Sequence, residues 1–498
     1  MKLLHALALL AASLPAYADV AVPKVFSSHM VLQRDMPIHV WGEAAPGEKI
    51  TVDLHGSTAT ATADTLNRWS VYLPALPAGG PFTLTIRGAN TLTLDDILIG
   101  DIWFASGQSN MEMPLAGFPN NAVIKDSEKE IAAANYPQIR LLRVEKDAAD
   151  YPLEDVRAAN GWSECTPETA KSFSAVAYFF ARSVQQKEKV AIGLIDSTWG
   201  GTPAEAWTSL DALGADAALM PVFAFRADRM NHETTEQRLD LSDNAAKAQG
   251  KPATPDRDWH PSQVSWRPAA LYNAMVAPFT ALPIRGVIWY QGESNSRLAM
   301  APLYNRLFST MIQDWRNQWH QGNFPFLYAQ ISAFASTPRE NWGLLRDAQR
   351  RTLSVTDTGM AVTIDVGNEH NVHPADKQTV GERLALLARK LSYGEESLVA
   401  SGPLFRLAYP DNGAMHVWFD HAKGLTIKGS SAEGFEVAGA DGNFVPATAK
   451  IDGDTIVASS PSVPNPRYVR YAWPNFPRAN LYNGAGLPAS TFTSYPVP

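Results

Sequence analysis

The sequence predicts an α/β fold: a parallel sheet with helices on both faces, extended by accessory β-regions at the N- and C-termini. Three observations support this. Between residues 20 and 96, apolar residues alternate with polar ones, the period of half-buried strands. Between 97 and 396, short and almost uninterrupted apolar runs are separated by helical segments, the pattern of parallel strands covered on both faces. Beyond residue 402 the alternating strands return.

Residues 1–18 read as an export signal. Lys2 supplies the positive start, a short apolar run follows, and Pro15-Ala16-Tyr17-Ala18 ends in the small-x-small pattern of a cleavage site after Ala18. A periplasmic or secreted destination is expected. No later stretch approaches ~18 uninterrupted apolar residues, so no membrane anchor is expected after cleavage. A chain of 498 residues exceeds what one core usually serves. Its net charge of -8 argues against a nucleic-acid partner, which would need clustered Lys and Arg. With Cys165 alone, no disulfide forms within the chain.

Residues 20–96 read as a small β-sandwich. Ile38 and Val40, then Ile50, Val52 and Leu54, then Phe82, Leu84 and Ile86 mark strands. Turn residues at Ala45-Pro46-Gly47 and Ala78-Gly79-Gly80 separate them. In 97–396 the apolar runs 102–105, 139–144, 190–195, 286–290, 326–331 and 360–364 are the expected parallel strands. One helix is expected to open at Pro302 and to carry Leu303, Leu307, Met311 and Trp315 on one stripe. Another, at 173–185, is apolar enough to be buried. The polar stretch 226–260 reads as a surface insertion. Residues 402–498 form a C-terminal β-region that either stands alone or packs with the N-terminal one.

Four segments at the ends of these strands carry chemistry, which is where open α/β sheets place their ligands. The first is Ser106-Gly107-Gln108-Ser109-Asn110-Met111. A serine there acts as a nucleophile if a base takes its proton; otherwise it caps a helix. The Gly-x-Ser-x-Gly elbow is absent, because Met111 stands at its second glycine. The second is Gln291-Gly292-Glu293-Ser294-Asn295, either a loop network or a site. A neutral, rigid Asn amide suits a developing oxyanion. The third is Asp365-Val366-Gly367-Asn368-Glu369-His370-Asn371-Val372-His373-Pro374, with Pro374 expected to open a helix faced by Val380, Leu384, Leu387 and Leu391. His370 and His373 also permit a metal reading, with Asp365 or Asp376 as third ligand, but no further ligand cluster accompanies them. The fourth, Trp199-Gly200-Gly201-Thr202, is either a tight turn or a pair of backbone donors.

These blocks, in this order, resemble the SGNH (GDSL-type) hydrolases, and more narrowly the sialate O-acetylesterase-like family. The resemblance rests on Gly107-Gln108-Ser109-Asn110-Met111, Trp199-Gly200-Gly201-Thr202, Trp289-Tyr290-Gln291-Gly292-Glu293-Ser294-Asn295, and His373-Pro374 with Lys377, Gly381 and Arg383. It continues outside them, through Met30-Val31-Leu32-Gln33-Arg34 near the start and Leu481-Tyr482-Asn483 near the end. It implies an SGNH-type parallel sheet, with Ser109 as nucleophile, His373 as general base, and the amides of Ser109 and Gly201 with the Asn295 side chain as oxyanion donors. Gln108, Gln291 and Glu293 would line the acyl or sugar pocket. The family pattern often places an Asp three residues before the histidine. Here that residue is His370, so the orienting partner is left among Asp365, Asn371 and a backbone carbonyl.

The implied activity is hydrolysis of acetyl esters on an acetylated carbohydrate, through an acetyl-enzyme and with no metal or organic cofactor. Plant polysaccharide esters such as xyloglucan or xylan are favoured slightly over 9-O-acetyl sialic acid, on the 14 Trp alone. A sialate site would need a cation, for which Arg267 is the candidate. Two other readings remain: a carbohydrate-binding protein on a hydrolase scaffold, and a lipase or thioesterase of the same superfamily.

Overall fold

The computed structural model describes residues 19–119, 121–157, 159–251 and 263–497. The expected export signal at 1–18 lies outside the described residues. Six parallel strands form the centre: β1 (Thr91–Gly107), β2 (Tyr136–Arg143), β3 (Ile192–Thr198), β4 (Gly286–Tyr290), β5 (Phe326–Ala329) and β6 (Thr358–Ala361). Their order is β6-β5-β4-β1-β3-β2, with Ser163–Cys165 antiparallel at the β2 edge. Every residue of β3 and β4 is buried, which explains their continuous apolar reading. Because β1 has β3 on one side and β4 on the other, its C-terminal end lies at a topological switch point, where loops part and leave a crevice.

The helices that bear on the site and its support are α1 (Ser109–Glu112), α2 (Ala175–Glu188), α3 (Met220–Ala248), α4 (Tyr304–Trp319), α5 (Trp342–Arg351) and α6 (Lys377–Ser392). α4 buries Leu307, Met311 and Trp315 as the stripe requires. Pro302 and Leu303 fall instead in a single 3-10 turn before it, so the helix proper starts at Tyr304. α6 buries Val380, Leu384 and Leu387 but begins three residues after Pro374, where Asp376 caps it by accepting from the Thr379 amide (3.0 Å). The long helix α3 begins before the 226–260 insertion and runs through its first part to Ala248; residues 252–262 lie outside the described residues. A polar helix without an apolar stripe gives no periodicity to read, although its Ala, Arg, Glu and Gln are good helix formers.

The N-terminal strands are continuous with the central sheet. β1 runs for 17 residues, pairing first with Gly79–Arg87 antiparallel and then with β3 and β4 in parallel. The boundary drawn after Asp96 thus falls inside one strand, at a residue with left-handed φ of 59°. A second two-stranded sheet, Ile38–Glu43 with Arg68–Leu73, accompanies the first. The C-terminal region holds two four-stranded antiparallel sheets. It docks on α5 through Arg346, a fully buried guanidinium that donates to the carbonyls of Ala472, Pro474 and Asn475 and to Thr491 Oγ1. Among the described residues no helix is long and apolar enough to cross a membrane.

Candidate active site

The ends of β1, β3, β4 and β6 converge on one serine. Gly107 closes β1 at a φ of 133°, and a Cβ there would stand 2.2 Å from the Tyr290 carbonyl of β4, so only glycine lets the two strands end side by side. The chain then turns directly into α1, whose first residue is Ser109. From β3, the Trp199 amide donates to the Gly107 carbonyl (3.1 Å), and Gly200 lies so close that a Cβ on it would be 3.2 Å from Ser109 Cβ. His373 arrives from the loop after β6, 264 residues along the chain, and its Nε2 stands 2.9 Å from Ser109 Oγ. The imidazole leans edge-on against Phe118, ring centroids 5.3 Å apart.

The amides around the serine divide into committed and uncommitted donors. Gly200 N–H donates to Glu112, whose other carboxylate oxygen takes Lys146 (2.6 Å). Among the described residues the amides of Ser109 and Gly201 have no acceptor. Asn295 is held at both ends. Its Oδ1 accepts from Ala204 N (2.9 Å) and from Gln291 Nε2 (2.7 Å), while one N–H goes to Glu205 (2.8 Å). That leaves its second N–H without an acceptor among the described residues. Burial raises the Glu205 carboxyl, and the Asn295 donation only partly offsets it.

On the histidine side, burial is the main cause and the Lys377 charge the second in pushing His373 down to about 4. Its Nδ1 is buried with no hydrogen-bond partner among the described residues. Asp365, the candidate for that position, is engaged elsewhere: both its oxygens take Arg383 (2.6 and 2.8 Å). The choice of Asp365 as orienting partner is therefore corrected, because a bidentate Arg–carboxylate pair is a stronger claim on it than a neutral imidazole. Asn371 acts on the backbone instead, its Oδ1 accepting from His373 N (2.9 Å).

The pocket-lining group also changes. Gln291 is wholly internal, donating to Thr202 O (3.1 Å) and Asn295 and accepting from Tyr304 (2.8 Å). Glu293 accepts from Asn110 Nδ2 (2.6 Å). Gln291 is wiring between loops, since polar groups buried this deeply pair with the protein itself, whereas the second Glu293 oxygen, Oε2, is buried with no hydrogen-bond partner among the described residues. Gln108 Oε1 accepts from Gly292 N (3.3 Å) and Ser294 N (3.2 Å), which fixes its amide and leaves Nε2 uncommitted. Arg267 is paired with Asp150 at 2.6 Å, while its neighbour Trp266 donates to the Gly201 carbonyl (2.7 Å). For the metal reading, His370 is exposed beside Glu369, and Asp376 is the cap of α6, so these groups do not converge with His373. Glu112 and Glu205, which set the backbone pair and the Asn295 amide, gave no signal in the sequence; each is an ordinary acid until the fold places it.

A serine and an imidazole in hydrogen-bond contact, beside free backbone donors at a switch point, are the groups that an acyl-transfer hydrolase uses. The comparisons make the class narrower. A family model described as carbohydrate esterase, sialic acid-specific acetylesterase matches residues 248–390. Human sialate O-acetylesterase is 32% identical over 419 residues, covering 76% of this chain and 72% of its own. The mouse enzyme is 31% identical over 434 residues, covering 79% and 77%. Among solved structures, a carbohydrate acetylesterase from Xanthomonas citri superposes with a TM-score of 0.83 at 37% identity, over 96% of this chain and 99% of that one. The chain belongs to the sialate O-acetylesterase family and is a carbohydrate acetylesterase.

Proposed function

We propose that the protein is exported and removes acetyl groups from polysaccharide or oligosaccharide esters by a Ser109–His373 mechanism. The observation that carries the mechanism is the 2.9 Å contact between Ser109 Oγ and His373 Nε2, with the Ser109 amide uncommitted and Gly200, the neighbour of Gly201, packed on Ser109. Ser109 attacks the acetyl carbonyl while His373 takes its proton. The amides of Ser109 and Gly201 and the free N–H of Asn295 receive the oxyanion. The C–O bond to the sugar then breaks, and the departing alkoxide takes the proton from His373. Water repeats the attack on the acetyl-enzyme, giving acetate and free serine.

Trp199 supports a sugar ring as the leaving group, since it is half-buried and adjoins the glycine packed on Ser109. The Trp count itself loses its weight, because nine of the thirteen described tryptophans are buried in cores. A second reading, a sialic acid ester, is favoured by Lys146, whose Nζ lies 6.0 Å from the Trp199 ring centroid. Paired with Glu112, it is already largely neutralised, so the neutral sugar ranks first.

Acetate release by the wild type and Ser109→Ala from acetylated xyloglucan, acetylated xylan and 9-O-acetyl sialic acid tests both parts. Release by the wild type alone, greatest on a plant polysaccharide, is expected. Preference for the sialate ester would reverse the ranking, and release by Ser109→Ala would remove the serine from its role. Expression with the signal intact should yield a mature chain beginning at Asp19.

A further inference from the structure

Lys377 opens α6, is wholly buried, and takes no part in the reaction just described. Its Nζ donates to Asn110 Oδ1 and lies 5.5 Å from the Tyr290 ring centroid. Asn110, which directly follows Ser109 and is also fully buried, joins three segments. Besides accepting from Lys377, it donates through Nδ2 to Glu293 Oε1 (2.6 Å) and to the Val372 carbonyl (3.0 Å). Val372 immediately precedes His373. One amide therefore ties the residue after the serine to the residue before the histidine, and the Asn371 bond to the His373 amide secures the next link.

We propose that Asn110, held between Lys377 and Glu293, is a positioning residue that sets His373 against Ser109, and that the Lys377 charge keeps the imidazole neutral and ready to accept a proton. This rests on the Ser109–His373 reading above. In a triad a carboxylate on Nδ1 fixes the ring and its tautomer. Here Nδ1 has no such partner among the described residues, and the ring is held through its own backbone. Orientation and charge state are thereby set by separate groups.

The electrostatic part has a definite sign. Burial brings Lys377 down to about 7, with Glu293 across from it and Asp376 on its own helix cap pulling back upward. In the acid range, where His373 takes its proton, Lys377 is therefore charged, and a nearby cation disfavours a second one on the imidazole. The charged groups facing this pair are Glu293 from the turn after β4 and Asp376; Tyr290 offers only its ring, and Phe118 covers the imidazole. His373 should remain a competent base well below the ordinary histidine range of about 6.5.

The test is the pH profile of kcat/KM on a chromogenic acetate ester for the wild type, Lys377→Gln and Asn110→Asp, with Ser109→Ala as the blank. Lys377→Gln should move the acid limb up by about one pH unit, the direction expected when a like charge that disfavours the imidazolium is lost. Asn110→Asp keeps an oxygen for Lys377 but removes the donor to Val372 and to Glu293, against which it sets a second carboxylate. It should lower kcat by about 10²-fold, the cost of misplacing a reacting group, with KM nearly unchanged. An unmoved limb, or an Asn110→Asp enzyme within threefold of wild type, overturns the proposal. Should either variant fail to fold by circular dichroism, Lys377→Met or Asn110→Gln takes its place: a raised acid limb in the first or a lowered kcat in the second supports the proposal, and wild-type behaviour in either overturns it. Activity surviving in Ser109→Ala would instead overturn the underlying reaction.

Discussion

On the β3–β4 side of the serine, the polar groups are tied into a buried network. Asn295 is held by Ala204, Gln291 and Glu205, Gln291 by Thr202 and Tyr304, and Gly200 by Glu112. On the β6 side, the loop that brings His373 carries the exposed Glu369 and His370, and the imidazole has Ser109 as its one hydrogen-bond partner among the described residues. The difference follows from the work proposed for each side. Oxyanion donors stabilise charge only if they are already aimed before it develops, so they gain from saturation by fixed partners. A base must gain and lose a proton, and a ring held through its backbone remains free to do both.

The comparison breaks most visibly at the histidine. His373→Ala should lower kcat by roughly 10⁴-fold or more, as loss of the base does in serine hydrolases, while the melting temperature barely changes. Among the described residues the ring makes one hydrogen bond, to Ser109, and packs edge-on against Phe118. A variant that melts much earlier would show that the β6 side is structural as well.

Asn295→Ala should do the opposite in part. It removes one oxyanion donor, worth ~10²–10³ in kcat. It also strands the Ala204 amide, Gln291 and the buried Glu205 carboxylate, so the melting temperature should fall with the activity. A companion Glu205→Gln retains the shape and an acceptor oxygen, and should recover most of the stability. Activity lost with no change in melting temperature would place Asn295 outside the network; a variant within threefold of wild type would remove it from the oxyanion role.

How far the sequence could be read follows the same division. The buried strands and the α4 stripe were legible because burial on both faces, or on one, leaves a period in the residue types. Ser109, Asn295 and His373 stand in polar segments that follow apolar strands, but each segment alone also allowed a structural reading, and their proposed roles came from the family resemblance. The partners that aim them were not legible. Glu205, Glu112 and Lys377 are distant in sequence from what they hold, and a buried acid or lysine looks like a surface one until the topology folds it inward. α3 escaped because its polar sequence leaves no apolar stripe to read. Asp365 was misplaced for a related reason. The sequence left it as one candidate beside Asn371 and a backbone carbonyl, but Arg383, one turn and a half into α6, takes both its oxygens.

Asp365→Asn gives the smallest expected effect. Because the carboxylate serves Arg383 and not the imidazole, its loss should leave kcat within about threefold and lower stability by only about 1 kcal/mol, the scale of a partly exposed ion pair. The acid limb of the pH profile should stay where the wild type has it, since nothing facing His373 has changed charge. A fall near 10⁴-fold, the loss seen when a triad carboxylate is neutralised, would mean that Asp365 leaves Arg383 for His373 during turnover. The β6 side would then hold its base by a mobile acid, and the contrast between the two halves of the site would be one of timing and not of rigidity.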